Sequence, residues 1–314
     1  MGKMKAKEGV SLAELKKRKG KKLLLYVLPG LIYVFIFNYL PLWGWSLAFL
    51  DYKPGRDILK CDWIGMKTFT TLFGNPVLRG NIFQSLKNTL GMHGLSYLSS
   101  PLPMIFAIFL NEVRSKKFKK VVQTVSTLPN FISWVIMFAL ANSLFSGTGL
   151  VNSLLTQWGV NESPINILTT DKHVWIIQWI LGIWKGLGWS SIVYFAAIAG
   201  IDQELYEAAM VDGAGRLKRI WYITVPHLMP TFFVLFIINI GNMLSTGVDQ
   251  YYVFGNAMNM KYIQTLDLYV YNLGIGSGMI TYGVAVGILK SVVALILFGS
   301  ANYLSKKVRG SGIA

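Results

Sequence analysis

The chain has 314 residues, of which 53% are hydrophobic and 14% charged, where an ordinary soluble domain carries about a quarter charged residues. That deficit, with 18 Phe, 15 Tyr and 10 Trp, argues for a polytopic membrane protein, which the long apolar runs make an all-α integral membrane fold. The net charge of +16 does not signal nucleic acid, because the basic residues cluster at the ends of apolar runs and form no face interleaved with aromatics.

Taken in order, residues 1–22 form a basic tail with nine Lys/Arg against Glu8 and Glu14. The apolar run 23–50 is far longer than the roughly 7–15-residue core of a secretory signal, so the tail is expected to stay attached to a first membrane helix. Pro41 lies inside that run and is a candidate kink. Six spans of near the ~20 residues a bilayer requires are predicted at 23–50, 85–111, 121–146, 174–199, 227–253 and 279–304. Pro101, Pro103 and Pro129 fall in or near the second and third, where neighbouring helices can satisfy the freed carbonyls. Segment 51–84, with Trp63, Phe69 and Phe73, is long enough to fold over a pore mouth. The stretch from Gly149 to Leu155 reads as a short amphipathic helix on the outer surface. No internal repeat is visible, so 23–305 is read as one domain, with 306–314 as a short tail. One cysteine, Cys61, rules out an internal disulfide framework, and His93, His173 and His227 are too scattered for a zinc pattern, so no metal is expected.

Orientation follows from counting Lys/Arg. The N-terminal tail has nine, 114–120 five, 216–219 three and 306–309 three, against five, one and one in 51–84, 147–173 and 254–278. The positive-inside rule then places both termini, and the loop 200–226, in the cytoplasm.

That loop is the long polar segment of the second half. Residues 203–211 are helix formers, with Ile201, Leu205 and Ala208 along one face. Gly213 and Gly215 punctuate the run, because glycine accepts the positive φ of a tight helix exit. A helical pattern resumes over 216–225, and Pro226 marks the next apolar span. The expectation is a short helix, a sharp turn and a second helix, projecting from the membrane. Ala208 and Ala209 leave a surface without bulk, which suits close docking by a partner.

Glu207-Ala208-Ala209, Gly213, Ile223 and Pro226 stand at the spacings of the EAA loop, and the chain resembles the permease subunits of binding-protein-dependent type I ABC importers. Val225 stands where that family usually has Leu. Leu28-Pro29-Gly30 to Pro41-Leu42-Trp43-Gly44, Lys87-Asn88-Thr89-Leu90, Leu128-Pro129-Asn130-Phe131-Ile132-Ser133-Trp134 and the Gly149-Leu150-x-Asn152 opening are similar to carbohydrate permeases of the polysaccharide-transport group. The resemblance implies the six-helix permease fold, a second homologous permease, two cytoplasmic ATPase subunits, an external solute-binding protein, an oligosaccharide substrate and a prokaryotic plasma membrane. It implies that Glu207 makes polar contacts to the ATPase, that Ala208 and Ala209 permit close approach, and that Gly213 sets the turn. Asp212 is expected to be solvated rather than paired with Arg216 or Arg219. The chain has no phosphate-binding loop of the form G-x-x-x-x-G-K-[ST], so it is expected to be no enzyme and to hold no cofactor, with ATP and Mg bound by the partner ATPase.

Ionisable groups inside spans are costly and suggest function. Lys185, Lys290 and Asp249 could give a cavity suited to an acidic oligosaccharide, or the lysines could snorkel or pair with carbonyls or Asp249. Asn239 and Asn242 share a face and could bond sugar hydroxyls or a neighbouring helix. Trp179 and Trp184 could stack on sugars or pack, while Trp175 suits an interfacial belt. Gly283 and Gly287 have the spacing of close helix packing. The loop signature also leaves open a type I permease for another solute, against which the sugar-like segments argue. A membrane enzyme would need a carboxylate constellation outside the loop, and a secondary transporter would show inverted repeats.

Overall fold

The computed structural model describes residues 12–160 and 166–309, which are almost wholly helical, with one isolated antiparallel bridge between Leu50 and Trp63. Six helices are long and apolar enough to cross a bilayer: Leu23–Phe49, Pro76–Asn111, Trp134–Gln157, Val174–Ala199, Arg216–Gly241 and Ile280–Ser300. The fourth has the bounds expected. Residues 1–11 and 310–314 of the two tails lie outside the described residues, and the remainder of each tail is helix continuous with the first and sixth spans.

Prolines and polar caps set the shape of the others. The first span is α-helical to Val34, widens to a π turn over Phe35–Tyr39, and tightens to a 3-10 helix over Leu40–Phe49. Pro41 lacks an N–H, and its ring crowds the carbonyl four residues back, so regular helix cannot continue through it. The second span starts at Pro76 rather than at 85. Asn75 caps it by accepting from the backbone N–H groups of Val77 and Leu78, and Pro76 suits the first turn. This span breaks at Ser99 and Ser100 and resumes over Leu102–Asn111.

Two spans differ more from expectation. The third is not continuous over 121–146. Helix Lys116–Thr127 gives way to a 3-10 turn, Leu128–Phe131, around Pro129, and a new helix, Trp134–Phe145, begins under a Ser133 cap. The fifth runs from Arg216 to Gly241 rather than over 227–253. Upstream, a π turn at Ile220–Thr224 carries the loop's second arm straight into the span, and Pro226 sits in the first turn of the α-helix, where no N–H is needed. Downstream, Ser245, Thr246 and Gly247 interrupt the helix, with Gly247 at φ +75°. Asp249 therefore opens a separate short helix, Asp249–Phe254, and is not in the fifth span.

Buried side chains gather in three clusters. Phe69, Leu72 and Ile82 pack with Leu266, Leu273 and Val286; Met92, Val174 and Leu181 pack with Tyr251, Phe254 and Leu268. The third joins Met104, Ile108, Tyr194, Ile198 and Leu228, where the second, fourth and fifth spans meet beside the loop 200–226. The first span adds Ala48 alone to the buried core among the described residues. Helices approach closely at glycines: a Cβ on Gly188 would stand 2.3 Å from the Ser126 backbone, and one on Gly283 2.9 Å from the Gly274 Cα. Of the predicted small-residue pair, Gly283 makes a close approach within the chain, while Gly287 faces open space.

Candidate functional site

The helix of the loop forms as expected over Gln203–Val211. Asp202 caps its start, accepting from the Glu204 N–H at 3.0 Å. At its end the Ala214 N–H reaches back to the Ala209 carbonyl (2.8 Å) and the Gly213 N–H to that of Met210 (3.1 Å), with Gly213 at φ +73°. This doubly closed exit needs a left-handed residue, which is why glycine stands there. Glu207, Ala208 and Asp212 are exposed, whereas Ala209 is half-buried. Asp212 joins no ion pair among the described residues; Arg216 instead meets Glu112, at the end of the second span, at 3.1 Å. Pro226 is exposed and Ile223 half-buried at the base of the second arm. The second arm is no separate projecting helix but the start of the fifth span. Three residues of the surface escaped the sequence reading. Met210 and Val211 are exposed apolar groups at the end of the helix, and the Tyr206 hydroxyl bonds Thr224 Oγ1 at 2.9 Å. An apolar pair at the end of the helix was the available signal for the first two.

A cavity of about 570 Å³ lies between the second, fourth and fifth spans. Ordinary ligand pockets span about 300–1,000 Å³. Trp179, Asn239 and Asn242 line it, with His93, Ser96, Tyr97, Gln178, Ser245, Gln250 and Tyr251. Its walls are braced: Trp179 Nε1 donates to Ser99 Oγ (3.0 Å), Tyr97 Oη to the Asn239 carbonyl (3.2 Å), and Gln250 Nε2 to Gln178 Oε1 (2.9 Å). The side-chain amides of Asn239 and Asn242 make no hydrogen bond among the described residues, which leaves them free for a solute. The described lining includes no Asp, Glu, Lys or Arg.

Trp184, Lys185, Asp249 and Lys290 do not line this cavity, and the two lysines take up the pairing alternative. The Lys185 ammonium donates to the carbonyls of Pro129, Asn130 and Ile132, at the break in the third span. Lys290 pairs with Asp267 rather than Asp249, and Asp267 also accepts from the Gly247 N–H at 3.0 Å. Lys290 and Asp267 border a separate pocket of about 380 Å³ beside the first span. Trp184 is exposed and Asp249 is exposed at the start of its short helix. Trp175, expected in an interfacial belt, packs on Gly91 and donates to the Tyr262 carbonyl at 3.0 Å.

The softer sequence matches acquire structural reasons. Buried Asn88 donates to the carbonyls of Lys261 and Gln264, both at 2.9 Å, while Thr89 Oγ1 accepts from the Leu266 N–H. Buried Asn152 donates to the Ser146 carbonyl at 2.7 Å, and a Cβ on Gly149 would strike the Leu144 carbonyl at 2.6 Å. Each motif satisfies backbone groups where a helix stops inside the fold.

Comparison with known proteins agrees with this architecture. The family described as "Binding-protein-dependent transport system inner membrane component" matches residues 99–310. Protein LplB of Bacillus subtilis (strain 168) is 40% identical over 98% of this chain and 95% of its own length. The polygalacturonan/rhamnogalacturonan transport system permease protein YteP of the same organism is 42% identical over 93% and 90%. A chain in the crystal structure of a bacterial alginate ABC transporter, in complex with alginate pentasaccharide-bound periplasmic protein, superposes with a TM-score of 0.82 at 36% identity, covering 95% of this chain and 99% of that one. Six apolar helices, the EAA loop at its expected position and a match over most of the chain make it a member of the binding-protein-dependent transport system inner membrane component family, a permease subunit of an ABC importer.

Proposed function

We propose that the chain forms half of the translocation path of an ATP-driven oligosaccharide importer in a prokaryotic plasma membrane, and that helix Gln203–Val211 seats its cytoplasmic ATPase. The observation that carries this reading is positional. The hairpin 200–226 hangs from the fourth and fifth spans, and the far ends of those spans supply Gln178, Trp179, Asn239 and Asn242 to the cavity. A body docked on the hairpin thus acts on both walls. Glu207 offers the polar contact and Ala208 and Ala209 the close approach, with Met210 and Val211 adding apolar area. Asp212, Gly213, Ile223 and Pro226 hold the hairpin's shape. The Lys/Arg distribution supports a cytoplasmic hairpin and cytoplasmic termini.

A second permease completes the path, two ATPase subunits bind ATP and Mg, and an external binding protein delivers the solute. The chain itself carries no catalytic group. The names of its relatives support an oligosaccharide substrate, including the uronate-rich class. The cavity suits sugar hydroxyls through its amides and sugar faces through Trp179. With no fixed charge in its lining, this subunit reads hydroxyls and ring faces rather than carboxylates. In a Cys61→Ser background, cysteines at Glu207 and Ala208 are expected to cross-link to the ATPase in native membranes, and one at exposed Ile180, near the other end of the fourth span, is not. Absence of an ATPase adduct from both loop positions would contradict the docking assignment.

A further inference from the structure

The helix Gln203–Val211 buries none of its residues, so packing does little to hold it. At its far end the turn contains Gly213 and Gly215, two residues with wide backbone freedom. A helix attached in this way can tilt about its glycines when pushed, and the push is then lost before it reaches the spans. One side-chain hydrogen bond leaves the helix among the described residues, from Tyr206 to Thr224, at 2.9 Å. Thr224 is 3% exposed and closes the π turn Ile220–Thr224, from which the fifth span continues. π turns interrupt the regular helical register and recur at functional positions. The fifth span in turn carries Asn239, whose carbonyl accepts from Tyr97 of the second span at 3.2 Å in the cavity wall.

We propose that the Tyr206–Thr224 hydrogen bond is the crosspiece that makes the two arms of the hairpin move as one piece, so that Tyr206 and Thr224 are positioning residues for transport. The proposal rests on the ATPase-docking reading of this loop. Tyr206 touches neither the cavity nor the outer face of the helix, and its effect runs through Thr224 and the fifth span. Without the crosspiece, the docked ATPase tilts the short helix about Gly213 while the fifth span stays behind.

The test needs no knowledge of the solute. In the complete complex, with Cys61→Ser as background, Ser96→Cys places a reporter thiol in the cavity. Its modification by a membrane-impermeant maleimide added from the external side is measured with and without ATP and vanadate, beside ATP hydrolysis and the Glu207→Cys cross-link. With the crosspiece intact, nucleotide raises external labelling. Tyr206→Phe and Thr224→Val are each expected to cut that gain about fivefold, as for loss of one hydrogen bond, while cross-linking and hydrolysis persist. The double variant is expected to be no worse than the worse single variant, and Thr224→Ser, which keeps the hydroxyl, to restore the gain. A merely structural role would lower hydrolysis, cross-linking and labelling together, and that result overturns the proposal. Full labelling gain in Tyr206→Phe also overturns it. A background complex with no cross-link and no nucleotide-driven labelling would overturn the docking reading, and the crosspiece with it.

Discussion

Lys185 sits where the third span breaks at Pro129, and its ammonium donates to the carbonyls of Pro129 and Asn130 in the 3-10 turn there. A charge inside a span is therefore spent on architecture here, and the cavity wall is left to neutral groups. Lys185→Met is expected to lower stability by about 2 kcal/mol, as charge-assisted bonds to buried carbonyls are lost. The unfolding midpoint of the detergent-solubilised complex should fall while the solute preference of the surviving fraction is unchanged. The cavity residues should behave in the opposite way. Asn242→Ala and Trp179→Ala are expected to raise the concentration for half-maximal oligosaccharide uptake about tenfold, the equivalent of about 1.4 kcal/mol each. Trp184→Ala and Asp249→Asn, outside the lining, should leave it unchanged. Uptake titrations on the four variants distinguish lining from packing.

At the scale of elements, legibility depended on whether the decisive signal was local. Helix Gln203–Val211 could be read to the residue because its cap, its periodicity and its closing glycine all lie within the segment. Apolar runs yielded the number of spans and both ends of the fourth, but not the ends of the second, third and fifth, since a hydrophobic stretch does not say where its backbone leaves the helix. Those ends are set by Asn75, Ser133 and Gly247, small polar or flexible residues whose roles show only with their partners in place. The partner of Lys290 was illegible for the same reason: Asp267 lies 23 positions away, in a segment read as an outer loop. Trp179, Asn239 and Asn242, singled out from span position and chemistry, come together in the lining of one cavity. The loop's closing glycine gives a sharp contrast to measure. Gly213→Val forces a β-branched residue to φ +73°, at about 1–2 kcal/mol, and should abolish ATPase cross-linking at Glu207 with membrane abundance preserved. Gly215→Ala should be silent, because φ there is −67° and no atom stands within 4 Å of its Cβ.

At the scale of the molecule, the described residues form six helices of membrane-spanning length with three clusters of buried side chains. Its cavity is walled by three spans, and the hairpin closes the far end of two of them. On the proposed reading the cavity is the solute's path and the hairpin is the handle for the ATPase. The handle is where the two halves of the reading meet, so the most direct measurement is uptake against ATP hydrolysis in the reconstituted complex. Oligogalacturonides and alginate oligosaccharides serve as solutes, with native chain and Glu207→Lys compared. ATP-dependent uptake of at least one is expected for the native chain. In Glu207→Lys uptake should be lost, while the permease still inserts and the ATPase still turns over. Uptake of the same solute at the native rate in Glu207→Lys would contradict the coupling role of the loop.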